Sequence, residues 1–271
     1  MNWIDTHAHL DLPRFGDDAD RRAAAARAQT AGIVAVVIPG VEPAGWDRLL
    51  VSAARLRESA PFVGFHTALG IHPQALPEIG SGRDTDHCDQ LERRVLAAPA
   101  GMVAIGECGL DFGAEVEAGA PRARQIAVLS AHLALARRTG LPLLLHCLRA
   151  HAVLLELLRA APVPPSILHS WSGSAELAAL FCRAGHYISF AGSVTLPRAR
   201  RPLDAARAVP ADRLLLETDS PDQTPFTRRP ARNEPAFLIE VATAVAAARG
   251  EPLDLLAEQS TANARRVLRL A

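Results

Sequence analysis

Short apolar runs alternate with longer amphipathic stretches along the whole chain. Between the apolar runs, segments rich in alanine, leucine and arginine repeat their hydrophobic residues at helical spacing, at 20–31, 46–59, 124–139, 151–160 and 176–184. This alternation predicts repeated strand-helix units and a parallel sheet. The eight apolar runs are WIDTHAH, VAVVIPG, FHTALGIHP, MVAIGECGLD, LPLLLHC, SILHSW, YISFAGS and RLLLETDSP.

Eight strand-helix units within 271 residues favour a closed (β/α)8 barrel, the TIM-barrel form of the α/β class, which typically takes about 250 residues. We predict a single domain over residues 1–271, with two closing helices at 234–249 and 253–268. The alternative is an open doubly wound sheet, which concentrates its ligand groups near one crevice. A barrel instead brings groups from many separate strands to one mouth.

The composition of the chain excludes several classes of function. Apolar residues make up 49% of the chain and charged residues 21%, so we expect a large core. The 29 basic residues balance 29 acidic ones, so any phosphate binding must be local and not the result of a global positive field. All the basic residues are arginines. The lack of lysine excludes Schiff-base chemistry, P-loop phosphate binding and a carbamylated-lysine metal bridge.

Cysteine usage and the N-terminal residues indicate the compartment. The four cysteines are scattered without a C-x-x-C pair, which predicts buried thiols and neither a zinc ribbon nor a disulfide framework. The first residues lack the pattern of a leader, and the chain has no uninterrupted apolar run of about 18 residues. We therefore expect a cytoplasmic protein with no membrane segment, and the sequence indicates no obligate protein partner.

Ionisable side chains stand at the C-terminal ends of five predicted strands. The strands of a barrel all end at one mouth, so these side chains should lie within a few ångströms of one another. Residues i and i+2 of a strand share a face, so His7 and His9 should project together and bind one ion. Such a pair alone is more often an ordinary feature than a ligand pair, but six groups at one end favour a metal site. The predicted metal ligands are His7, His9, Glu107, His146, His169 and Asp219.

Six nitrogen and oxygen ligands exceed the needs of one tetrahedral ion, so two divalent ions (Mg, Mn or Zn) fit better than one. Because the chain has no lysine, Glu107 is the expected bridging carboxylate. Asp219 is expected to bind an ion and to accept the proton of the attacking water. These two residues are therefore the predicted catalytic carboxylates.

Other residues near the strand ends are candidates for substrate contact. His72 closes the third predicted strand, where it either binds a substrate phosphate or makes a structural hydrogen bond to the backbone. Arg149 follows the fifth strand and is a candidate phosphate ligand, as are the arginines of the later loop PFTRRPARNEP. Trp171 either stacks on a base or fills a gap at a strand end.

An ordered set of motifs runs through nearly the whole chain: IDTHAHLD, GIHP, AIGECGLD, LLLHC, LHSWSG, ISFAGSVT, LLLETDSP, RNEP and NARRVL. This set resembles the TatD family of metal-dependent deoxyribonucleases and hydrolases, within the amidohydrolase-like superfamily. The resemblance implies a TIM barrel with a divalent metal centre, and it places the metal ligands on the same six residues that strand position selects. It also implies 3′-5′ exonuclease action on DNA ends, usually with magnesium.

The chain departs from the family pattern beside the predicted site. Phe112 and Gly113 follow GLD where the family often has aromatic residues and an arginine, and Gln74 replaces a frequent histidine after GIHP. Asp222 and Gln223 follow ETDSP where nuclease members commonly carry Tyr-Leu, so the chain looks closer to a less characterised branch. The predicted activity is hydrolysis of DNA ends or of another phosphoester. The alternatives are hydrolysis of a C–N or carboxylic ester bond in a small molecule, and a non-catalytic metal-binding protein.

Overall fold

A computed structural model describes residues 1–270, in which strands and helices alternate. The strands are β1 (Trp3–Asp5), β2 (Ile33–Pro39), β3 (Gly64–Leu69), β4 (Met102–Asp111), β5 (Leu143–Leu148), β6 (Ile167–Leu168), β7 (Tyr187–Phe190) and β8 (Leu214–Leu216). The α-helices are α1 (Asp18–Thr30), α2 (Trp46–Ser59), α3 (Asp84–Leu96), α4 (Ala114–Gly119), α5 (Arg122–Thr139), α6 (His151–Ala160), α7 (Ala175–Arg183), α8 (Arg200–Ala208), α9 (Leu238–Arg249) and α10 (Leu253–Leu268).

Within residues 1–270, the eight strands are parallel and pair in chain order from β1 to β8. The first and last strands meet beyond their ends, where Ala8 forms a parallel bridge with Ser220. The backbone N–H of Asp219 also donates to the carbonyl of His7 at 2.9 Å. The sheet is therefore a nearly closed barrel with helices between its strands, and the predicted TIM-barrel fold is confirmed.

A buried carboxylate joins the two ends of the sheet. Oδ1 of Asp5 accepts hydrogen bonds from the backbone N–H groups of Thr218 (2.9 Å) and His7 (3.2 Å), and Oδ2 accepts one from the Thr218 hydroxyl at 2.5 Å. Burial raises the pKa of Asp5 to about 7 although these hydrogen bonds act to lower it. Asp5 thus fixes the backbone beside two predicted metal ligands, His7 and Asp219.

The end of the barrel opposite this site is covered by α10. The side-chain amide of Asn263 donates to the carbonyls of Ala211 (2.7 Å), in the turn before β8, and Leu214 (3.0 Å), the first residue of β8. Residues of α10 also pack against the inward-facing residues of the strands. The members of this interior cluster are Ile4, Ala35, Val37, Ala68, Ala104, Leu144, Ile167, Tyr187, Leu215, Ala264, Val267 and Leu268.

The helix before α10 begins later than the pattern predicts. The sequence pattern predicts a start at residue 234, whereas α9 begins at Leu238 after a single 3-10 turn at Pro235–Phe237. Glu234 is extended, with φ −153° and ψ 160°, so the helical conformation begins only after it. Within residues 1–270, no helix combines the length and apolar character needed to cross a bilayer.

Candidate metal centre

The alternation of side chains along the strands brings histidines to the mouth of the barrel. Leu144 of β5 packs inside the barrel, and His146, two residues later, therefore points to the same side. Ile167 and His169 repeat this spacing on β6 and the residue after it. The C-terminal ends of these strands thus direct imidazoles towards the barrel axis.

Glu107 reaches the centre of the mouth through an irregularity in β4. The register of β4 against β5 shifts between Ile105 and Cys108. Gly106 has a φ of 148°, and a Cβ atom at this position would lie 2.8 Å from Cβ of Leu144, so only glycine fits. The irregular segment carries Glu107, which is 2% exposed and surrounded by histidines.

The two carboxylate oxygens of Glu107 face different pairs of histidines. Oε2 lies 3.1 Å from Nε2 of His7 and 3.4 Å from Nε2 of His9. Oε1 lies 2.8 Å from Nε2 of His169 and 3.4 Å from Nδ1 of His146. Burial acts to raise the pKa of Glu107, but the surrounding histidines outweigh it and hold this pKa well below its usual value.

Asp219 stands on the His7 side of Glu107. Its Oδ1 atom lies 3.8 Å from Nε2 of His7 and 3.7 Å from Nε2 of His9. Asp219 has a φ of 55°, in the left-handed region that non-glycine residues seldom adopt, which often marks a functional position. Three sets of ligand atoms lie within 4.8 Å of one another: His7, His169 and Asp219; His7, His9 and Glu107; and His72, Glu107 and His146.

His146 is oriented by Asp111, which the strand-end pattern does not single out. Oδ2 of Asp111 lies 3.3 Å from Nε2 of His146 and accepts a hydrogen bond from the side-chain amide of Gln74 at 2.8 Å. Burial alone would raise the pKa of Asp111, but the hydrogen bonds from His146, Gln74 and the backbone of Gly113 lower it to about 2. Because Nε2 of His146 faces this carboxylate, Nδ1 is the atom left to face Glu107.

His169 has a carboxylate on each side of its ring. Oε1 of Glu217, another residue outside the predicted set, lies 3.4 Å from Nδ1 of His169, within ion-pair reach but outside hydrogen-bond geometry. Burial acts to lower the pKa of His169, yet Glu107 and Glu217 raise it well above its usual value. The local field at this ring therefore favours a positive charge. The sequence does contain a signal for Glu217, because it stands two residues before Asp219, at the spacing that places side chains on the same face of a strand.

His72 differs from the other histidines of the mouth because its tautomer is fixed by the backbone. Nδ1 accepts a hydrogen bond from the N–H of Gln74 at 3.1 Å, and Nε2 lies 2.8 Å from Oε1 of Glu107. Burial lowers the pKa of His72 to about 4, so the ring is neutral at pH 7. A neutral ring whose Nδ1 is an acceptor carries its proton on Nε2, which is then a hydrogen-bond donor.

A cavity of about 510 Å³ opens above these residues. Among the described residues that line it, Arg14 is the only arginine. Its guanidinium pairs with the exposed carboxylate of Asp222, and Glu42 and Glu78 also line the wall. The walls therefore carry more acidic groups than arginines.

The other predicted substrate contacts lie outside this cavity. Arg149 is exposed and is not among the residues that line the walls. Trp171 is 2% exposed and packs edge-on against His151 and Phe181, with ring centroids 4.9 and 5.6 Å apart, so it fills a gap beside β6. In the arginine-rich loop, Arg228 pairs with a carboxylate of α9.

The chemistry of the donor atoms at the mouth fits divalent metal ions. Nε2 of His7 and Nε2 of His9 lie 3.2 Å apart, and both face Oε2 of Glu107. Nitrogen and oxygen ligands that share one ion at about 2.0–2.2 Å are themselves about 3.0–3.5 Å apart. Three buried atoms with lone pairs at this spacing match the edges of a coordination shell. These side chains could therefore hold metal, as the sequence predicts.

A parallel barrel with imidazoles and carboxylates at its C-terminal mouth is typical of metal-dependent hydrolases. The model of the TatD related DNase family matches residues 4–269. The chain is 34% identical over 258 residues to the uncharacterized metal-dependent hydrolase YjjV of Escherichia coli K12, a match that covers 94% of this chain and 93% of YjjV. The chain therefore belongs to the TatD family of metal-dependent hydrolases, as its motifs predict.

Two further comparisons agree with this assignment. The chain is 34% identical over 276 residues to the 3′-5′ ssDNA/RNA exonuclease TatD of Edwardsiella piscicida, covering 99% of this chain and all (100%) of that protein. The crystal structure of Escherichia coli YjjV superimposes with a TM-score of 0.88 at 32% identity, over 99% of this chain and 98% of YjjV. Both matches span essentially the whole barrel.

Proposed function

We propose that this protein is a two-metal phosphodiesterase that removes nucleotides from the 3′ end of single-stranded DNA. The observation that carries the proposal is the division of Glu107, whose two oxygens face two separate pairs of histidines. A bridging carboxylate between two ions requires this arrangement. The name of the Edwardsiella piscicida relative, a ssDNA/RNA exonuclease, supports nucleic acid as the substrate class.

Two metal positions follow from this division. His7, His9, Asp219 and Oε2 of Glu107 would hold one ion. His146, His169 and Oε1 of Glu107 would hold the second, and the ions would be Mg, Mn or Zn. Divalent ions bound there would supply Lewis-acid polarisation of a phosphoryl oxygen and would lower the pKa of water.

The remaining steps fall to side chains of the chain itself. Asp219 would also accept the proton of the attacking water. With substrate bound, Nε2–H of His72 would donate to a phosphoryl oxygen instead of to Oε1 of Glu107, which agrees with its predicted substrate contact.

The phosphate contact at the mouth would come from Arg14. It lines the cavity, and its partner Asp222 is exposed, so a substrate phosphate could replace that carboxylate. Arg149 stays a prediction. From its exposed position outside the walls, it would contact only a nucleotide distant from the scissile bond.

A direct assay tests the proposal. Chelator-treated protein is supplied with Mg²⁺, Mn²⁺ or Zn²⁺ and is incubated with a 5′-labelled single-stranded oligonucleotide. We expect a ladder that shortens from the 3′ end, and no ladder from an otherwise identical preparation of Glu107→Ala. Equal degradation by the two preparations would show a contaminating nuclease and defeat the proposal.

The acidic walls favour a second candidate, hydrolysis of an ester or amide bond in a small molecule. Glu42, Glu78 and Asp222 line the cavity beside a single arginine, a poor environment for a long polyanion. The same metal-loaded preparations are therefore assayed against a generic phosphodiester and a panel of amides and carboxylic esters. Turnover of that panel alone, again lost in Glu107→Ala, would replace the nuclease proposal with this one.

A further inference from the structure

Gln223 makes two hydrogen bonds at the mouth of the barrel. Its side-chain amide donates to Oδ2 of Asp219 at 2.6 Å and also to the hydroxyl of Ser170. Gln223 is half-buried, lines the cavity and has a φ of 51°, in the left-handed region that non-glycine residues seldom adopt.

Through Ser170 the same amide reaches the second proposed metal position. The backbone N–H of Ser170 donates to Oε1 of Glu217 at 2.5 Å, and this oxygen lies 3.4 Å from Nδ1 of His169. Gln223 therefore connects the segments that follow β6 and β8. These segments carry His169 and Asp219, which are proposed to bind different ions.

The hydrogen bond from Gln223 gives the two carboxylate oxygens of Asp219 different partners. Oδ2 is occupied by the amide of Gln223, whereas Oδ1 faces Nε2 of His7 and Nε2 of His9 at 3.8 and 3.7 Å. Resting on the proposed function, we infer that Gln223 is a positioning residue that holds Asp219 with Oδ1 towards the metal. Hydrogen bonds from outer residues to metal-binding carboxylates typically change metal affinity or activity by 10-fold to 100-fold when they are removed.

The test compares Gln223→Met, which keeps the length of the side chain but removes the donor, with wild type. Metal-free proteins are titrated with Mn²⁺ in a calorimeter, and kcat and KM are measured at several Mn²⁺ concentrations. We expect Gln223→Met to bind Mn²⁺ about tenfold more weakly. At low Mn²⁺ its kcat should fall with KM unchanged, and excess Mn²⁺ should restore kcat. The matched control is Gln29→Met, the same change on the exposed face of α1.

The outcomes separate this inference from the proposed function. If the wild type binds no Mn²⁺, or binds it no better than Glu107→Ala does, the proposed function itself is wrong. A wild type that binds Mn²⁺, with equal affinity in Gln223→Met, would overturn the role of Gln223 alone. A lower melting temperature with unchanged affinity and kcat would also overturn it, since that shows only structural support. If Gln223→Met does not fold, Gln223→Leu gives the same comparison, because it also removes the donor and adds no charge beside Asp219.

Discussion

Nε2 of His72 lies 2.8 Å from Oε1 of Glu107, while Nδ1 of the same ring accepts a hydrogen bond from the backbone of Gln74. The backbone thus keeps the proton on the nitrogen that faces the site. A histidine held in this way can donate a hydrogen bond but does not present a lone pair to a metal at Nε2. His72 therefore has a different task from the histidines beside it.

Replacing His72 with alanine should separate substrate contact from metal binding. We expect His72→Ala to lower kcat/KM by about 100-fold to 1,000-fold, because a donor to the reacting phosphoryl group is lost. Its affinity for Mn²⁺ should fall far less than that of His169→Ala, because His72 loses only a hydrogen bond to Oε1 of Glu107 and no bond to the metal. Steady-state kinetics and calorimetry check the two parts. A loss of Mn²⁺ affinity comparable to that of His169→Ala would make His72 a ligand instead.

Replacing Asp111 with asparagine should weaken metal binding through His146. The new amide keeps one acceptor oxygen, so its NH2 group would face either the donors of His146 and Gln74 or the backbone N–H of Gly113. In either case the hydrogen bonds that fix the imidazole would weaken. We expect a 10-fold to 100-fold loss of Mn²⁺ affinity by calorimetry. Asp47→Asn, at an exposed position on α2, is the matched control. Unchanged affinity in Asp111→Asn would show that His146 needs no such support.

Substitutions of Arg14 and Asp222 should change KM in opposite directions. Arg14→Ala removes the arginine of the cavity wall and should raise KM for an oligonucleotide about tenfold, which is the loss of about 1.4 kcal/mol of binding. Asp222→Ala frees Arg14 from its partner and should lower KM. Stability should change little, because exposed ion pairs contribute about 0–1 kcal/mol. Equal KM values in all three proteins would place the phosphate contact elsewhere.

The ligand candidates could be selected from the sequence because their positions depend on strand ends. His146 and His169 each stand two residues after a buried strand residue, and this local spacing is visible in the sequence. Strand lengths were less predictable. For example, β6 contains only Ile167 and Leu168, since the limits of a strand depend on how far its neighbours stay hydrogen-bonded to it.

The residues that orient the ligand candidates were harder to predict, because their contacts depend on the path of the loops. Asp111 and Gln74 meet although 37 positions separate them, and no short spacing in the chain reports such a contact. The phosphate candidates show the same limit. Arg149 adjoins a predicted ligand strand in sequence, yet the arginine that lines the cavity is Arg14, on the 3-10 turn Pro13–Phe15 after β1.

Stability should fall in mild acid because of a histidine outside the site. Nε2 of the buried His132 accepts from the backbone N–H of Ile71 at 3.1 Å, and Nδ1 lies 2.8 Å from the carbonyl of Val128, an arrangement that requires a neutral ring. Burial lowers the pKa of His132 from 6.5 to about 4. Between these values His132 binds a proton in the unfolded chain but not in the folded chain. The contribution of His132 to the free energy of unfolding is therefore fully present above pH 6.5 and is lost as the pH falls towards 4.

The magnitude is about 3 kcal/mol across that window, since each unit of pKa difference corresponds to about 1.4 kcal/mol. Urea denaturation of wild type and His132→Gln at several pH values measures it. Because glutamine does not titrate, the variant should show a shallower decline of unfolding free energy below pH 6.5. Parallel curves for the two proteins would assign the acid sensitivity to other groups.

The junction of β1 with β8 also bears on how the protein is made. His7 and Asp219 lie far apart in the sequence, yet the backbone N–H of Asp219 donates to the carbonyl of His7. During synthesis the first two histidines leave the ribosome long before their carboxylate partner exists. On the proposed function, a partly synthesised chain has no complete metal centre, so it is inert towards the nucleic acids that surround it during translation.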